Sequence, residues 1–249
     1  MDGAHSEHFR TFVGLIRQPD RFVPPGQAFF GWSDANRVSA LAYRLTGNPG
    51  FRDARIRDAA QYLRLVAWLA PLLERAGRRK LSCALFKGLG TALTKGVYEA
   101  PDERRLGDLD LLVPPAQLSA WIELLAKEGF EPVFGGRIGR RISKNGYQVP
   151  LRHRDLGLVE LHHRLYRDTP FFDVPSLIAS ADSRALEGMD VKVVGHEALF
   201  LILSAHLAVN EGSVPAAWFW EVAALSHALP QVEIPPGAER LNRPPVGDE

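Results

Sequence analysis

The chain has 249 residues, of which 46% are hydrophobic and 24% charged, with a formal net charge of +1. That length allows one large domain or two small ones, the apolar share suffices for a sizeable core, and the near-neutral balance gives no global pull toward nucleic acid or a membrane surface. The single cysteine, Cys83, excludes an internal disulfide framework and suits a reducing compartment.

Residues 1–30 form a weakly helical start ending in the break Pro24-Pro25-Gly26. His5, Glu7, His8, Arg10, Arg17 and Asp20 interrupt it, so it lacks the continuous apolar centre of a signal peptide. Ser33-Asp34 is placed to cap a helix through residue 45, and Gly47-Asn48-Pro49-Gly50 ends it. A longer amphipathic helix over 52–75 follows, with Ile56, Ala59, Ala60, Leu63, Val66, Ala67 and Ala70 at helical spacing and Pro71 as a kink or restart.

After a basic turn at 77–80 the character changes. Residues 81–86 read as a short buried strand carrying Cys83, a structural thiol with no adjacent activating base. A helix is expected over 89–97, a strand over 109–113, a helix from Pro114-Pro115 through 128 and a strand over 129–134. Segments 147–151 and 156–161 read as paired strands about a polar turn. Two helices, 195–209 and 215–229, precede a proline-rich stretch, 230–249, read as a disordered tail. The segment 198–209 is too short to span a bilayer, so a cytoplasmic protein without membrane contact is expected. The order of elements predicts an α/β (α+β) fold: a small mixed β-sheet core at 79–194, with an N-terminal helical region at 1–78 and C-terminal helices at 195–229.

Chemistry concentrates in the middle third. Asp108 and Asp110 stand at the head of the apolar run Leu111-Leu112-Val113. On a strand, residues i and i+2 share a face, so both carboxylates enter one small volume and repel unless a cation joins them. A divalent ion with oxygen ligands, such as magnesium carrying phosphates, answers that need; a solvated strand start is the plainer alternative. Glu160 interrupts the apolar strand Leu158-Val159-Glu160-Leu161, where an unpartnered carboxylate is costly. A neighbouring strand would set it beside the aspartates, and an edge strand would instead turn it to solvent or to Arg164. Lys87-Gly88 gives a backbone able to approach a phosphate, with a cation beside it, or simply a tight strand–helix turn. Arg104 either serves that site, pairs with Asp108, or belongs to a charged surface turn, 102–105.

Between 137 and 167 lie Arg137, Arg140, Arg141, Lys144, Arg152, Arg154, Arg164 and Arg167 against Asp155 and Glu160. This is a funnel for an anionic ligand or an ordinary basic face. Nucleic acid is the less favoured partner, since Tyr147 is the lone aromatic nearby. Period-two alternation puts His162 on the Glu160 face, able to orient a carboxylate, and His163 on the other. His206, on an apolar helix, reads as a core histidine.

Taken together, Lys87-Gly88, Tyr98, Arg104, Gly107-Asp108-Leu109-Asp110-Leu111-Leu112-Val113 and Val159-Glu160-Leu161-His162 resemble the uncharacterised nucleotidyltransferase family of the DNA-polymerase-beta-like superfamily, over roughly residues 30–225. The resemblance implies transfer of a nucleoside monophosphate from an NTP to an acceptor, a small molecule, peptide or protein. Asp108, Asp110 and Glu160 would be the catalytic acids and the ligands of magnesium (Mg2+), one ion or two. Lys87, Gly88, Thr91 and Arg104 would hold the nucleotide's phosphates. Lys87-Gly88 stands where many members of the superfamily have Gly-Ser, and Asn210 where family members often carry a second histidine. Two rival readings follow: a non-catalytic protein of the same fold that senses nucleotides or binds a partner, and a nucleic-acid module using 137–167.

Overall fold

A computed structural model describes residues 3–23, 26–134, 146–165, 172–209 and 214–229. The break at Pro24-Pro25, most of the basic segment (Arg137, Arg140, Arg141, Lys144, Arg167), Asn210 and the proline-rich stretch from 230 lie outside the described residues. Among them, seven strands build one mixed sheet: β1 (Ala84–Leu85), β2 (Asp108–Leu112), β3 (Glu131–Pro132), β4 (Gln148–His153), β5 (Gly157–His162), β6 (Asp182–Leu186) and β7 (Met189–Val193), in the spatial order β3-β4-β5-β2-β1-β7-β6. The pairs β2–β5 and β1–β7 are parallel and the others antiparallel. The helices are α1 (Gly3–Arg17), α2 (Gln27–Ala35), α3 (Ser39–Thr46), α4 (Arg52–Arg78), α5 (Lys87–Ala92), α6 (Leu118–Lys127), α7 (Val174–Ala179), α8 (His196–Val209) and α9 (Ala216–Ala228). This is the expected mixed sheet between helical flanks. No helix among the described residues is long and apolar enough to cross a membrane.

Strand alternation sorts the side chains into two layers. Leu85, Leu109, Leu111, Leu151, Val159, Leu161 and Val193 pack against Val66, Leu69 and Leu72 of α4 and Trp121, Leu124 and Leu125 of α6. Ala84, Phe86 and Leu112 join a second cluster with Val174 and Ile178 of α7, Leu199, Ile202 and Leu203 of α8 and Leu225 of α9. Period two therefore leaves Asp108 and Asp110 on the face of Leu112. Cys83 is partly buried against the first layer, and burial pushes its thiol up to about 12, which suits a structural role. A third cluster joins Phe12, Leu15, Phe29, Trp32, Leu41 and Phe51 to Ala216 and Ala217 of α9, so the two helical flanks pack as one body.

Several boundaries differ from those the sequence suggests. Ser33 and Asp34 do not cap a helix; they lie inside α2, and the chain breaks at 36–38. Asn36 makes the break: its Nδ2 donates to Trp32 O at 2.9 Å, and its Oδ1 accepts from the Ala216 amide at 3.2 Å. Helix α4 runs through Pro71. Helix α5 begins at Lys87, earlier than expected, and stops at Ala92, where the Thr94 hydroxyl bonds back to Gly90 O at 2.9 Å. The hairpin β6–β7 is an addition, turning through Glu187 and Gly188 with φ of 46° and 81°. Left-handed backbone at two consecutive turn residues matches the twist of a tight hairpin.

Two glycines of α5 carry different constraints. A Cβ at Gly90 would come 2.8 Å from Leu85 C and 2.9 Å from Leu85 O, so α5 can lie on β1 only with glycine there. At Gly88 the nearest atoms would be Leu106 Cδ2 at 3.5 Å and Asp108 O at 3.8 Å, an ordinary contact. Gly90→Ala is expected to lose about 1–3 kcal/mol through overpacking, whereas Gly88→Ala should keep or gain up to ~1 kcal/mol from helix propensity. Urea denaturation of both variants checks this, and equal stabilities would contradict the packing account.

Candidate active site

Parallel pairing of β2 with β5 sets Asp110 opposite Glu160, Leu112 opposite His162 and Asp108 opposite Leu158. One sheet face thus presents Asp108, Asp110, Glu160 and His162 together. Ligand atoms of Asp110, Glu160 and His162 all lie within 4.8 Å of one another, a group able to hold a metal ion. His162 Nε2 is 2.9 Å from Asp110 Oδ1 and 3.3 Å from Glu160 Oε2. The ring is held edge-on by Phe86, with centroids 4.8 Å apart. Glu160 thus turns toward His162 and not toward Arg164. Asp108 stands one strand repeat before Asp110 on the same face, outside that three-residue group.

Lys87 reaches the cluster from the neighbouring strand–helix turn. Its Nζ is 3.3 Å from Asp110 Oδ1 and 5.3 Å from the centroid of the Phe86 ring. Phe86 is extended at φ −152°, and Lys87 then turns left-handed at φ 48°, a conformation that costs a non-glycine residue about 1–2 kcal/mol. Strain of this kind persists where the surroundings enforce it and clusters at functional sites.

The charges interlock. Burial by itself would raise the Asp110 pKa, but Lys87 and His162 outweigh it and hold the carboxyl down at about 2. Burial pulls against the Lys87 ammonium, yet Asp110 and Glu160 carry it above the ordinary lysine value. Asp108 has no such partner: burial, then the charges of Asp110 and Glu160, push it up to about 6 despite Arg37 and Lys87. Two carboxylates and an imidazole suit a divalent cation with oxygen and nitrogen donors. A cleft of about 180 Å³ opens beside Asp108, lined by Gln61, Arg64, Trp68, Gly107 and Leu158 among others.

The remaining expected residues fall elsewhere. Thr91 is wholly buried in α5, and its Oγ1 has no hydrogen-bond partner among the described residues. Arg104 neither pairs with Asp108 nor lies on a surface turn. It is 3% exposed, its Nε sits 2.5 Å from Glu221 Oε1 on α9, and its Nη1 donates to Arg105 O. Tyr98 Oη donates to the same Glu221 oxygen at 3.1 Å. The long connection from α5 to β2 is therefore a brace. It is tied to α9 by Arg104, by Tyr98 and by the Trp220 indole on Val97 O, and to the N-terminal helices by Arg44–Glu103, Arg55–Asp102 and Arg105–Asp34.

His206 is partly buried on α8. Its ring meets that of Trp218 at a tilt of 48°, with centroids 4.5 Å apart, and burial, then the charge of Lys87, push its pKa down to about 4, with Asp110, His162 and Glu160 also acting on it. Helix α8 thus holds a neutral imidazole within the field of the acidic cluster. Glu221 and Arg37 are the residues that sequence reasoning missed. Glu221 sits on a helix rich in apolar residues, which was the available signal, since a buried charge needs a partner.

Comparison with known proteins yields one family model, described as an uncharacterised nucleotidyltransferase, that matches residues 48–246. No curated protein matches. Among solved structures, the chain is similar to the lincomycin-bound lincosamide antibiotic adenylyltransferase LnuA, at 15% identity, covering 64% of this chain and 94% of that one with a TM-score of 0.43. It is also similar to the antibiotic-resistance factor ANT(2″)-Ia, at 14% identity, 65% and 82% coverage and a TM-score of 0.46. An antigenic nucleotidyltransferase-like protein from Paracoccidioides brasiliensis is similar at 17% identity, 65% and 74% coverage and a TM-score of 0.42.

Because the native Asp108 pKa of about 6 lies above its ordinary 3.8, the native state holds that proton more tightly than the unfolded chain, and Asp108 lowers stability as pH rises through this window. Asp110 acts in the opposite sense, adding stability that disappears as pH falls from 3.8 toward 2. In the metal-free protein at pH 7, Asp108→Asn should therefore be more stable by on the order of 1 kcal/mol. The gain should vanish in denaturation curves taken below the ordinary carboxylate range. Separately, Glu221→Ala should cost about 3–5 kcal/mol by leaving the Arg104 charge buried alone, while the double variant Arg104→Met/Glu221→Met should recover most of it in the same urea titration.

Proposed function

Since the chain belongs to the uncharacterised nucleotidyltransferase family, we propose that it transfers a nucleoside monophosphate from an NTP to the hydroxyl of a small molecule, peptide or protein, releasing pyrophosphate. The observation that supports this reading best is the register that sets Asp110 beside Glu160 on adjacent parallel strands, with Asp108 on the same face. Asp110 and Glu160, joined by Asp108, would hold magnesium, as one ion or two, which when bound neutralises phosphate charge and favours ionisation of the acceptor hydroxyl.

The chain's own groups have distinct parts. Asp110 is ionised throughout the physiological range, fixed by Lys87 and His162. His162 positions that carboxylate and leaves Glu160 as the more accessible acid, 15% exposed against 4% for Asp110. Glu160 would take the acceptor's proton as the acceptor oxygen bonds to the α-phosphorus, and the α–β bridging oxygen leaves with its electron pair on pyrophosphate. Lys87 and the Gly88 backbone would face the phosphates, where a methyl at position 88 is sterically free in the fold yet stands toward Asp108. Arg104, committed to Glu221, would brace the loop that delivers Asp108 and leave the phosphates to other cations. Thr91 would offer its hydroxyl only from within α5.

The test is calorimetric titration of ATP, GTP, CTP and UTP with magnesium, followed by a pyrophosphate-release assay. Asp110→Asn should fold but lose turnover by on the order of 10²–10⁴-fold, the several kcal/mol expected of charge stabilisation at the transferring phosphoryl group. An Asp110→Asn protein with full metal-dependent turnover would falsify the assignment. Magnesium-dependent binding without pyrophosphate release on any acceptor would shift the reading to a nucleotide sensor of the same fold.

A further inference from the structure

Arg37 lies in the turn between α2 and α3, before the stretch that the family model matches. Its neighbours Asn36, Val38 and Ser39 are buried, and Arg37 alone in that turn is half-exposed. The turn is rigid. Arg37 N donates to Asp34 O at 3.1 Å and Val38 N to Ser33 O at 3.0 Å, while Asn36 O and Oδ1 accept from the first amides of α9. Arg37 itself is left-handed, at φ 60°, where glycine or asparagine would be cheaper.

The guanidinium of Arg37 lies against the backbone of Gly107, the residue before Asp108. A Cβ at Gly107 would come 3.1 Å from Arg37 Nη2 and 3.3 Å from Cζ and Nη1. Glycine at 107 is thus what lets a planar cation approach the strand end that carries the aspartates. The carboxylates nearby are already engaged: Glu221 by Arg104 and Tyr98, and Asp34 by Arg57 and Arg105. Among the described residues, the Arg37 side chain makes no hydrogen bond and no ion pair. Burial and the charge of Arg104 work against its protonated form, with Asp108 and Glu221 pulling the other way. A guanidinium stays charged in proteins, so this is a half-buried positive charge with donors to spare, held next to Asp108.

We propose that Arg37 is a phosphate-binding residue: its guanidinium holds the oligophosphate chain of the nucleotide on the Asp108 side of the site, opposite Lys87. The planar fork matches phosphate oxygens bidentately. The N-terminal helices are then part of the nucleotide site and not only a flank. This inference rests on the nucleotidyltransferase reading for its ligand, while the cation itself rests on geometry alone.

The experiment uses the full chain and three variants in calorimetric titration: Arg37→Asn, which tolerates the left-handed backbone, Arg37→Lys and Gly107→Ala. The probes are magnesium with inorganic tripolyphosphate, with each of the four NTPs, and with the corresponding NMPs; circular dichroism checks the fold. Arg37→Asn should bind tripolyphosphate and the preferred NTP about tenfold to a hundredfold more weakly, the value of a hydrogen-bonded charge, and bind NMP almost as the wild type does. Arg37→Lys should recover part of the loss, and Gly107→Ala, which pushes the guanidinium outward, should lie between. If wild type and a folded Arg37→Asn bind NTP and tripolyphosphate equally, the assignment of Arg37 is overturned and the nucleotidyltransferase reading stands. Binding of tripolyphosphate through Arg37 without binding of any NTP would keep the cation and overturn the nucleotide reading. Wild type that binds neither probe overturns both.

Discussion

A carboxylate buried in the middle of a sheet is the constraint on which this molecule is organised. Asp110 is nearly sealed from solvent, and a lone charge there would cost several kcal/mol. It is tolerated because Lys87 at the start of α5 and His162 at the end of β5 close on one of its oxygens. Each partner needs its own scaffold. His162 requires β5 to lie parallel to β2 in one register, and Lys87 requires the chain to leave β1 in a strained left-handed turn. The glycine at 90 then lets α5 fold flat on β1. Remove any of these and the acid is left in a medium that rejects it.

The second organising interaction is Arg104 with Glu221. The two are each almost wholly buried and bind a sheet loop to the last described helix. Around it, Tyr98, Trp220 and the ion pairs of Arg44, Arg55 and Arg105 hold the same loop against both helical flanks. The strand that follows begins with Asp108, so the position of that aspartate is fixed from outside the sheet. Asp108 is the opposite of Asp110 electrostatically: burial and two neighbouring acids make its charge unwelcome. Such a pair, one carboxyl held down at about 2 and its neighbour pushed up to about 6, is a common mark of a functional site.

What was legible in the sequence follows the range of the physics involved. Asp108, Asp110, Glu160 and His162 were readable as one-face residues because strand alternation is local, and an acid inside an apolar run signals a need for partners. The register that pairs Asp110 with Glu160 was not readable, since it depends on a parallel pairing between distant strands. Lys87 stands out in the sequence beside Gly88, but its contact with Asp110 follows from a backbone angle that no composition reveals. Arg104 reads from the sequence as a phosphate ligand, a partner of Asp108 or part of a charged turn, because its partner Glu221 lies 117 residues away, out of reach of any local pattern. The break at Asn36 was masked by the cap-like Ser33-Asp34, and the hairpin β6–β7 by exposed Asp182, Ser183, Asp190 and Lys192 between its few buried residues. Helix α4 is legible in its extent, but not in its face: Ile56, Ala60, Leu63 and Ala67, which helical spacing turns inward, lie exposed, and the buried stripe is Tyr62, Val66, Leu69 and Leu72. Helices α8 and α9 are legible as long apolar runs between breaks, since their apolar residues lie nearly all round the helix.

The joining of the two flanks also bears on how the chain is made. Asn36 waits for the amide of Ala216, 180 residues later, and Arg104 for Glu221. At a synthesis rate of about 5–20 residues per second, the 117 residues between Arg104 and Glu221 correspond to a delay of roughly ten seconds. Until then a nascent chain that closed the loop before β2 would trap an unpaired guanidinium. The sheet's first strands are therefore expected to remain unconsolidated on the ribosome, and the acidic site to assemble only as α9 emerges. A product ending before residue 216 would lack both the carboxylate that Arg104 pairs with and the amide that Asn36 accepts from, so the loop before β2 would have nothing to close on.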